Sequence, residues 1–180
     1  TINLMGKSFR KFGWNAVFVD NDNPEAFRAA VTHKTRAIFV ESLANPGGVI
    51  VDLEAIAKIA QEAEVPLIVD NTMATPWLCR PFEWGADLVV HSTTKFLSGQ
   101  GNAMGGIVID SGRFPWFGNA KYPSLSEPCP DYNGLTFAET FGDMAFTLYN
   151  HAVSLRDLGC TQSPMNAWIT LNGVETLPLR

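Results

Sequence analysis

The protein is a chain of 180 residues, of which 46% are hydrophobic and 17% are charged, with a net charge of −5 at pH 7. This composition is ordinary for a globular domain that buries a sizeable core. The negative charge argues against nucleic acid and anionic membrane as partners, because both bind basic surfaces.

The apolar runs are short, and the cysteines and histidines are scattered. No run is long enough to cross a bilayer, so we expect no membrane partner. The three cysteines, Cys79, Cys129 and Cys160, form no C-x-x-C pair. We therefore expect a reduced cytoplasmic protein without a disulfide framework or a metal site.

The first half of the chain alternates strand and helix signals. Asn23-Pro24 begins one predicted helix, and Asp52 caps a second, whose apolar stripe includes Leu53 and Ile56. Apolar runs predict five strands, at Ala16–Val19, Arg36–Val40, Leu67–Val69, Asp87–Val90 and Gly106–Ile109. Apolar strands separated by helices predict an α/β fold with a mainly parallel sheet covered on both faces.

The second half has a different pattern. Repeated prolines predict an irregular segment from Asp110 to Gly134. An apolar stripe from Phe137 to Leu155 then predicts one long helix, with Gly159 just beyond its end. A last helix is expected from about Pro164 to Asn172.

Polar residues follow the predicted strands, at the edge where ligands bind to open α/β sheets. They are Glu41, Ser42 and Asn45, then Asp70, Asn71 and Thr72, and then His91, Ser92, Thr94 and Lys95.

Pyridoxal phosphate needs this set of groups. A lysine amine forms a Schiff base with it, and a carboxylate pairs with the pyridine nitrogen. Hydroxyls and backbone N–H groups bind the phosphate. Taken singly, Asp70 is better explained as a turn cap and Lys95 as a surface lysine, and Ser92 and Thr94 could cap the next turn. Their occurrence together at successive strand ends favours the cofactor.

Three blocks closely resemble the signature of the Cys/Met-metabolism family of pyridoxal-phosphate enzymes. They are Glu41-Ser-Leu-Ala-Asn-Pro46, Val69-Asp-Asn-Thr72 and His91-Ser-Thr-Thr-Lys-Phe96, in the expected order. The resemblance implies a three-layer fold-type-I large domain, of which residues 1–180 are the central part. The family's N-terminal segment and C-terminal domain are expected to lie outside this chain.

The resemblance also implies a role for each residue. Lys95 would hold the cofactor and shuttle protons, and Asp70 would pair with the pyridinium nitrogen. Asn45 would contact the ring hydroxyl, and Thr72 would lie behind the ring. Ser92 and Thr94 would contact the phosphate, and Glu41 would lie near the substrate.

Within this family, three segments look like the O-acetylhomoserine sulfhydrylase branch. They are the aromatic, proline-rich Phe114–Pro130, the block Asp131-Tyr-Asn-Gly-Leu135, and Ser163–Asn166 followed by Asn172–Leu177. The implied reaction is a γ-replacement that makes homocysteine from O-acetylhomoserine and sulfide, in a homotetramer. Cystathionine γ-synthase or γ-lyase activity stays open as an alternative, as does a catalytically incomplete fragment.

Overall fold

The computed structural model describes all of residues 1–180, which form a four-stranded sheet with helices around it. The strands are β1 (Ile38–Glu41), β2 (Leu67–Asp70), β3 (Leu88–Ser92) and β4 (Gly106–Asp110), in spatial order β1-β2-β3-β4. β1, β2 and β3 are parallel, and β4 runs antiparallel to β3. The predicted mainly parallel α/β fold is confirmed, with one antiparallel strand that the sequence pattern did not indicate.

The helices vary in length and type. The α-helices are α1 (Pro24–Ala30), α2 (Leu53–Glu62), α3 (Thr75–Leu78), α4 (Pro123–Ser126), α5 (Phe137–Phe141), α6 (Ala145–Tyr149), α7 (Arg156–Leu158) and α8 (Pro164–Glu175). Turns of π-helix span Leu4–Ser8, Thr93–Leu97 and Asn150–Leu155. Turns of 3₁₀-helix span Phe9–Phe12, Pro81–Trp84, Pro130–Tyr132, Gly142–Met144 and Leu177–Leu179.

Two predicted helix starts are confirmed by their caps. The Asn23 side chain accepts a hydrogen bond from the Glu25 amide, and Pro24 occupies the first turn of α1. The Asp52 carboxylate accepts from the Ala55 amide at 3.0 Å and caps α2 in the same way. These bonds satisfy amides that have no partner inside the helix, and so they fix where each helix begins.

The alternation of side chains along the strands separates the core from the opposite face of the sheet. Ile38 pairs with Leu67 and Val40 with Val69, and all four pack in the core that α2 also lines. Because side chains alternate, Glu41, Asp70 and Ser92 lie on the other face, and Glu41 is directly in register with Asp70.

A second core is aromatic and gathers the later helices. Its buried members are Phe114, Trp116, Leu125, Phe137, Ala138 and Ala145. The Trp116 ring stacks on Phe146, with centroids 5.4 Å apart, and meets Tyr122 edge to face at 5.1 Å. The proline-rich segment is therefore anchored through its aromatic rings, although much of its backbone is irregular.

Two predicted elements are wrong. Ala16–Val19 forms no strand: Val17 is 73% exposed, and no neighbouring strand pairs with it. The long helix from Phe137 is broken at Gly142, whose φ of 54° and ψ of −121° end α5. The following Asp143 packs against Gly112, so tertiary contact overrides the helical pattern there.

The sheet is not covered evenly. In β4, Ile107 and Val108 are 46% and 58% exposed, so the expected cover on both faces is absent from this strand. No helix in the structure combines the length and the apolar character needed to span a lipid bilayer.

Candidate functional site

A cavity of about 280 Å³ lies at the carboxyl ends of β1, β2 and β3. It is lined by Thr1, Glu41, Leu43, Asn45, Asp70, Thr72, Met73, Ser92, Lys95 and Phe96. Six of the seven site residues predicted from the sequence thus share one concavity. They meet because parallel strands bring their carboxyl ends to the same edge of the sheet.

Asp70 and Ser92 are connected through the hydroxyl of Thr72. The Ser92 amide donates to Thr72 Oγ1 at 2.8 Å, and Thr72 Oγ1 donates to Asp70 Oδ1 at 2.5 Å. The Thr72 amide also donates to Asp70 Oδ1, at 3.0 Å. Both bonds use Oδ1, so the carboxylate is held in one orientation while Oδ2 is free to accept from a bound molecule.

Lys95 lies in the π-helical turn Thr93–Leu97 that directly follows β3. Its backbone is not helical (φ −92°, ψ −116°), so the turn is kinked at the lysine itself. Its side chain is exposed at the cavity and forms no ion pair. The amine is therefore accessible to a ligand in the cavity.

Glu41 and Asn45 are joined to each other. The Asn45 amide donates to Glu41 Oε2 at 2.8 Å, which ties the loop after β1 back to the end of that strand. Glu41 thus helps to place Asn45 at the cavity, and its predicted position near the substrate stays a prediction.

Thr94 is the one predicted residue that does not line the cavity. Its hydroxyl donates to the Gly105 carbonyl at 3.2 Å and accepts from the Gly105 amide at 3.0 Å. In this structure the Thr94 hydroxyl links the Lys95 turn to the segment before β4.

Sequence reasoning missed the apolar part of the lining, formed by Leu43, Met73 and Phe96. Leu43 and Phe96 lie inside two of the signature blocks and Met73 directly follows the third, so their place in or beside those blocks was the available signal. An internal network was missed too. Ser42 Oγ donates to Asn71 Oδ1 at 2.7 Å, and Asn71 Nδ2 donates to the Cys79 carbonyl at 2.8 Å.

His91 lies beneath the site and is only 4% exposed. Burial lowers the pKa of its imidazole, and the nearby Asp70 carboxylate partly offsets this effect. Its Nδ1 atom is buried without a hydrogen-bond partner. His91 is therefore a buried residue of β3 and is not among the groups that line the cavity.

A second concavity of about 230 Å³ lies between α1 and α2. Its charged groups are already engaged, because Arg28 pairs with Glu25 and Glu62, Lys58 pairs with Glu54 at 2.9 Å, and the Asp52 carboxylate caps α2. Exposed pairs of this kind are common on surfaces and leave no free group for chemistry. No group of three or more His, Cys, Asp or Glu side chains is arranged to hold a metal ion.

The groups around the first cavity suit pyridoxal phosphate. An accessible amine, an oriented carboxylate with a free oxygen, an amide and three hydroxyls surround one space. These are the partners that an aldehyde, a protonated pyridine nitrogen, a ring hydroxyl and a phosphate require.

Comparisons with known proteins agree with this chemistry. Residues 1–180 match the family described as Cys/Met metabolism PLP-dependent enzyme. The chain is 50% identical to an O-acetyl-L-homoserine sulfhydrylase of Leptospira meyeri, over 188 aligned residues that cover all of this chain and 42% of that protein. It is 41% identical to a homocysteine/cysteine synthase of Saccharomyces cerevisiae, again over the whole chain and 41% of that protein.

A solved structure is also similar. It comes from Campylobacter jejuni, is assigned as an O-acetylhomoserine (thiol)-lyase and contains N'-pyridoxyl-lysine-5'-monophosphate. The two chains superpose with a TM-score of 0.94 at 38% identity, covering 99% of this chain and 44% of that one. The chain spans less than half the length of these relatives. Because the family match extends over every residue, the chain belongs to the Cys/Met metabolism PLP-dependent enzymes.

Proposed function

We propose that this chain carries the cofactor-binding part of a pyridoxal-phosphate enzyme, with Lys95 as the residue that links covalently to the cofactor aldehyde through Nζ. The observation that supports this most directly is the shared cavity, which places the Lys95 side chain among Asp70, Asn45, Thr72 and Ser92. The pyridoxyl-lysine in the related Campylobacter structure supports the same assignment.

Each side chain has a distinct task in this proposal. Once bound, the cofactor supplies an electron sink for a carbanion next to the substrate amine. Asp70 Oδ2 keeps the pyridine nitrogen protonated, while its Oδ1 is held by Thr72. Asn45 binds the ring hydroxyl, and Ser92 and Thr94 are assigned to the phosphate. Because the Thr94 hydroxyl already bonds to Gly105, its phosphate contact requires a change of partner.

The reaction we assign to the full-length protein is a γ-replacement on O-acetylhomoserine. Lys95 Nζ removes the Cα proton of the substrate, and loss of a Cβ proton then supplies the electron pair that expels acetate from Cγ. Sulfide adds at Cγ, and Cβ takes a proton back, which leads to homocysteine. Lys95 Nζ later returns a proton to the substrate. The names of the relatives from Leptospira and Saccharomyces support this choice of substrate and product. Glu41 is proposed to lie near the substrate.

A related reaction is the main alternative. A solved cystathionine γ-lyase of Lactobacillus plantarum matches with a TM-score of 0.73 at 28% identity, so a γ-lyase shares this fold. The lower similarity favours the sulfhydrylase assignment. We further propose that the protein is cytoplasmic and assembles as a homotetramer, and that residues 1–180 are the central part of its large domain.

The test is chemical trapping followed by product analysis in the full-length enzyme. Borohydride reduction and peptide mapping should place a phosphopyridoxyl group on Lys95. A label on Lys7, Lys11, Lys34, Lys58 or Lys121 would contradict the assignment. With O-acetylhomoserine and sulfide the enzyme should form homocysteine faster than it cleaves methionine or cystathionine. The reverse order would favour a γ-lyase.

A further inference from the structure

Helix α8 packs directly on the turn that carries Lys95. Gly173 of α8 lies against the backbone carbonyls of Leu97 and Ser98, and a Cβ atom at Gly173 would overlap both oxygens. Only glycine permits so close an approach between two backbones. Leu97 and Ser98 are buried beneath this contact, at 7% and 2% exposure.

Arg180 joins the end of this helical region to the same turn. Its guanidinium donates to the Phe96 carbonyl at 2.8 Å and to the Leu97 carbonyl at 3.4 Å. It also donates to the Gly173 carbonyl, and its Nε donates to Thr176 Oγ1 at 3.0 Å. One planar cation thus connects the last turn of α8 with the two residues that follow Lys95.

The start of α8 is tied to the neighbourhood of the turn as well. The Thr93 hydroxyl donates to Gln162 Oε1 at 3.4 Å, and Gln162 Nε2 donates to Thr170 Oγ1 at 3.0 Å. Asn166 Nδ2 donates to the Met104 carbonyl at 2.8 Å. Contacts from α8 therefore reach the turn on both sides of Lys95.

Within the turn, backbone hydrogen bonds run from the Ser98 amide to the Thr93 carbonyl and from the Gly99 amide to the Lys95 carbonyl. The Phe96 carbonyl instead finds its partner in Arg180. The Ser98 hydroxyl also donates to the Thr94 carbonyl at 3.1 Å, and the backbone at Lys95 is kinked, so α8 adds contacts to a turn that is not a regular helix. We propose that α8 is the positioning element for Lys95, with Gly173 and Arg180 as positioning residues. The catalytic meaning of this inference rests on the function proposed above for Lys95.

The test compares Gly173→Ala and Arg180→Lys with the wild-type full-length enzyme, by hydrogen exchange of the cofactor-free protein. Lysine keeps the charge but carries its three donors on a single nitrogen, so it cannot reach all four acceptors that the three guanidinium nitrogens of Arg180 contact. We expect amides in Thr93–Gly99 to exchange about 10-fold faster or more in both variants, while amides in Ile38–Asp70 do not change. Arg80→Ala is the matched control, since Arg80 pairs only with the exposed Glu83.

A second measurement reports on the lysine itself. At one cofactor concentration, the fraction of Lys95 trapped by borohydride should fall in Gly173→Ala and Arg180→Lys, but not in Arg80→Ala. Unchanged exchange in Thr93–Gly99, or an equal increase across the sheet, would overturn the positioning role. If the wild-type enzyme traps cofactor on another lysine, the proposed function fails, while the exchange experiment still decides whether α8 holds the turn.

Discussion

Replacing Thr72 by valine removes one hydroxyl and nearly keeps the shape of the side chain. In the structure that hydroxyl accepts from the Ser92 amide at 2.8 Å and donates to Asp70 Oδ1 at 2.5 Å. Valine can form neither bond. The Thr72 amide still donates to Asp70 Oδ1 at 3.0 Å, so the carboxylate keeps one of its two anchors.

The size of the effect follows from these two bonds. A hydrogen bond to a charged group contributes about 1.5–3 kcal/mol, and a neutral one contributes about 1 kcal/mol. Thr72 and Ser92 are half-buried, so water compensates in part. We expect the free energy of unfolding to fall by about 2–3 kcal/mol. A less firmly held carboxylate should also lower kcat by roughly 10- to 100-fold.

The assay pairs urea unfolding with steady-state kinetics of the full-length enzyme saturated with cofactor. Thr72→Ser is the control, because serine keeps the hydroxyl and can form both bonds. The Thr72→Val enzyme should be less stable and slower than Thr72→Ser. Equal kcat and equal unfolding free energy in these two variants would refute the inference that this hydroxyl orients Asp70.

Three further predictions concern charge, pH and exposed apolar surface. Asp70→Asn keeps an acceptor for Thr72 but removes the charge, so kcat should fall roughly 10²-fold or more with cofactor still bound, whereas near-normal turnover would favour a turn-cap role. Burial lowers the pKa of the His91 imidazole below its ordinary value of 6.5. The unfolded chain therefore takes up a proton more readily than the folded chain, and the free energy of unfolding should fall as the pH drops below 6.5. In thermal unfolding measured across pH, the Tm of His91→Gln should decrease less on acidification than the Tm of the wild type. An equal decrease in both proteins would contradict the conclusion that His91 causes the loss of stability. Residues 1–180 expressed alone should aggregate and bind little cofactor, because the side chains of Trp14, Trp77 and Trp168 are 61%, 59% and 60% exposed. A monodisperse peak in size-exclusion chromatography, with the yellow colour of bound cofactor, would contradict this prediction.

The sequence indicated where the site lies because the position of each strand end is encoded locally. Asp70 and Lys95 follow short apolar runs, and parallel pairing brings such ends together whatever the details of the loops. The helix starts at Asn23 and Asp52 were predictable for the same reason, since each cap bonds to an amide two or three residues away.

Features that depend on distant contacts were not predictable. The Gly142 break fits the packing of Asp143 on Gly112, about 30 residues earlier in the chain. The antiparallel direction of β4 depends on the connection after Lys95, which no periodicity reveals. Whether the Thr94 hydroxyl faces the cavity or Gly105 is decided by the kinked turn, because a small backbone rotation redirects a short side chain.

The dependence of the Lys95 turn on α8 has a consequence for biosynthesis. The segment Ile38–Lys95, which contains the parallel strands β1, β2 and β3, leaves the ribosome before α8. The positioning residues Gly173 and Arg180 follow Lys95 by 173 − 95 = 78 and 180 − 95 = 85 residues. At typical elongation rates of 5–20 residues per second, both have been added only after about 4–17 s. During that interval we expect the nascent chain to contain the carboxylate at the end of β2, while the contacts that position the Lys95 amine cannot yet form.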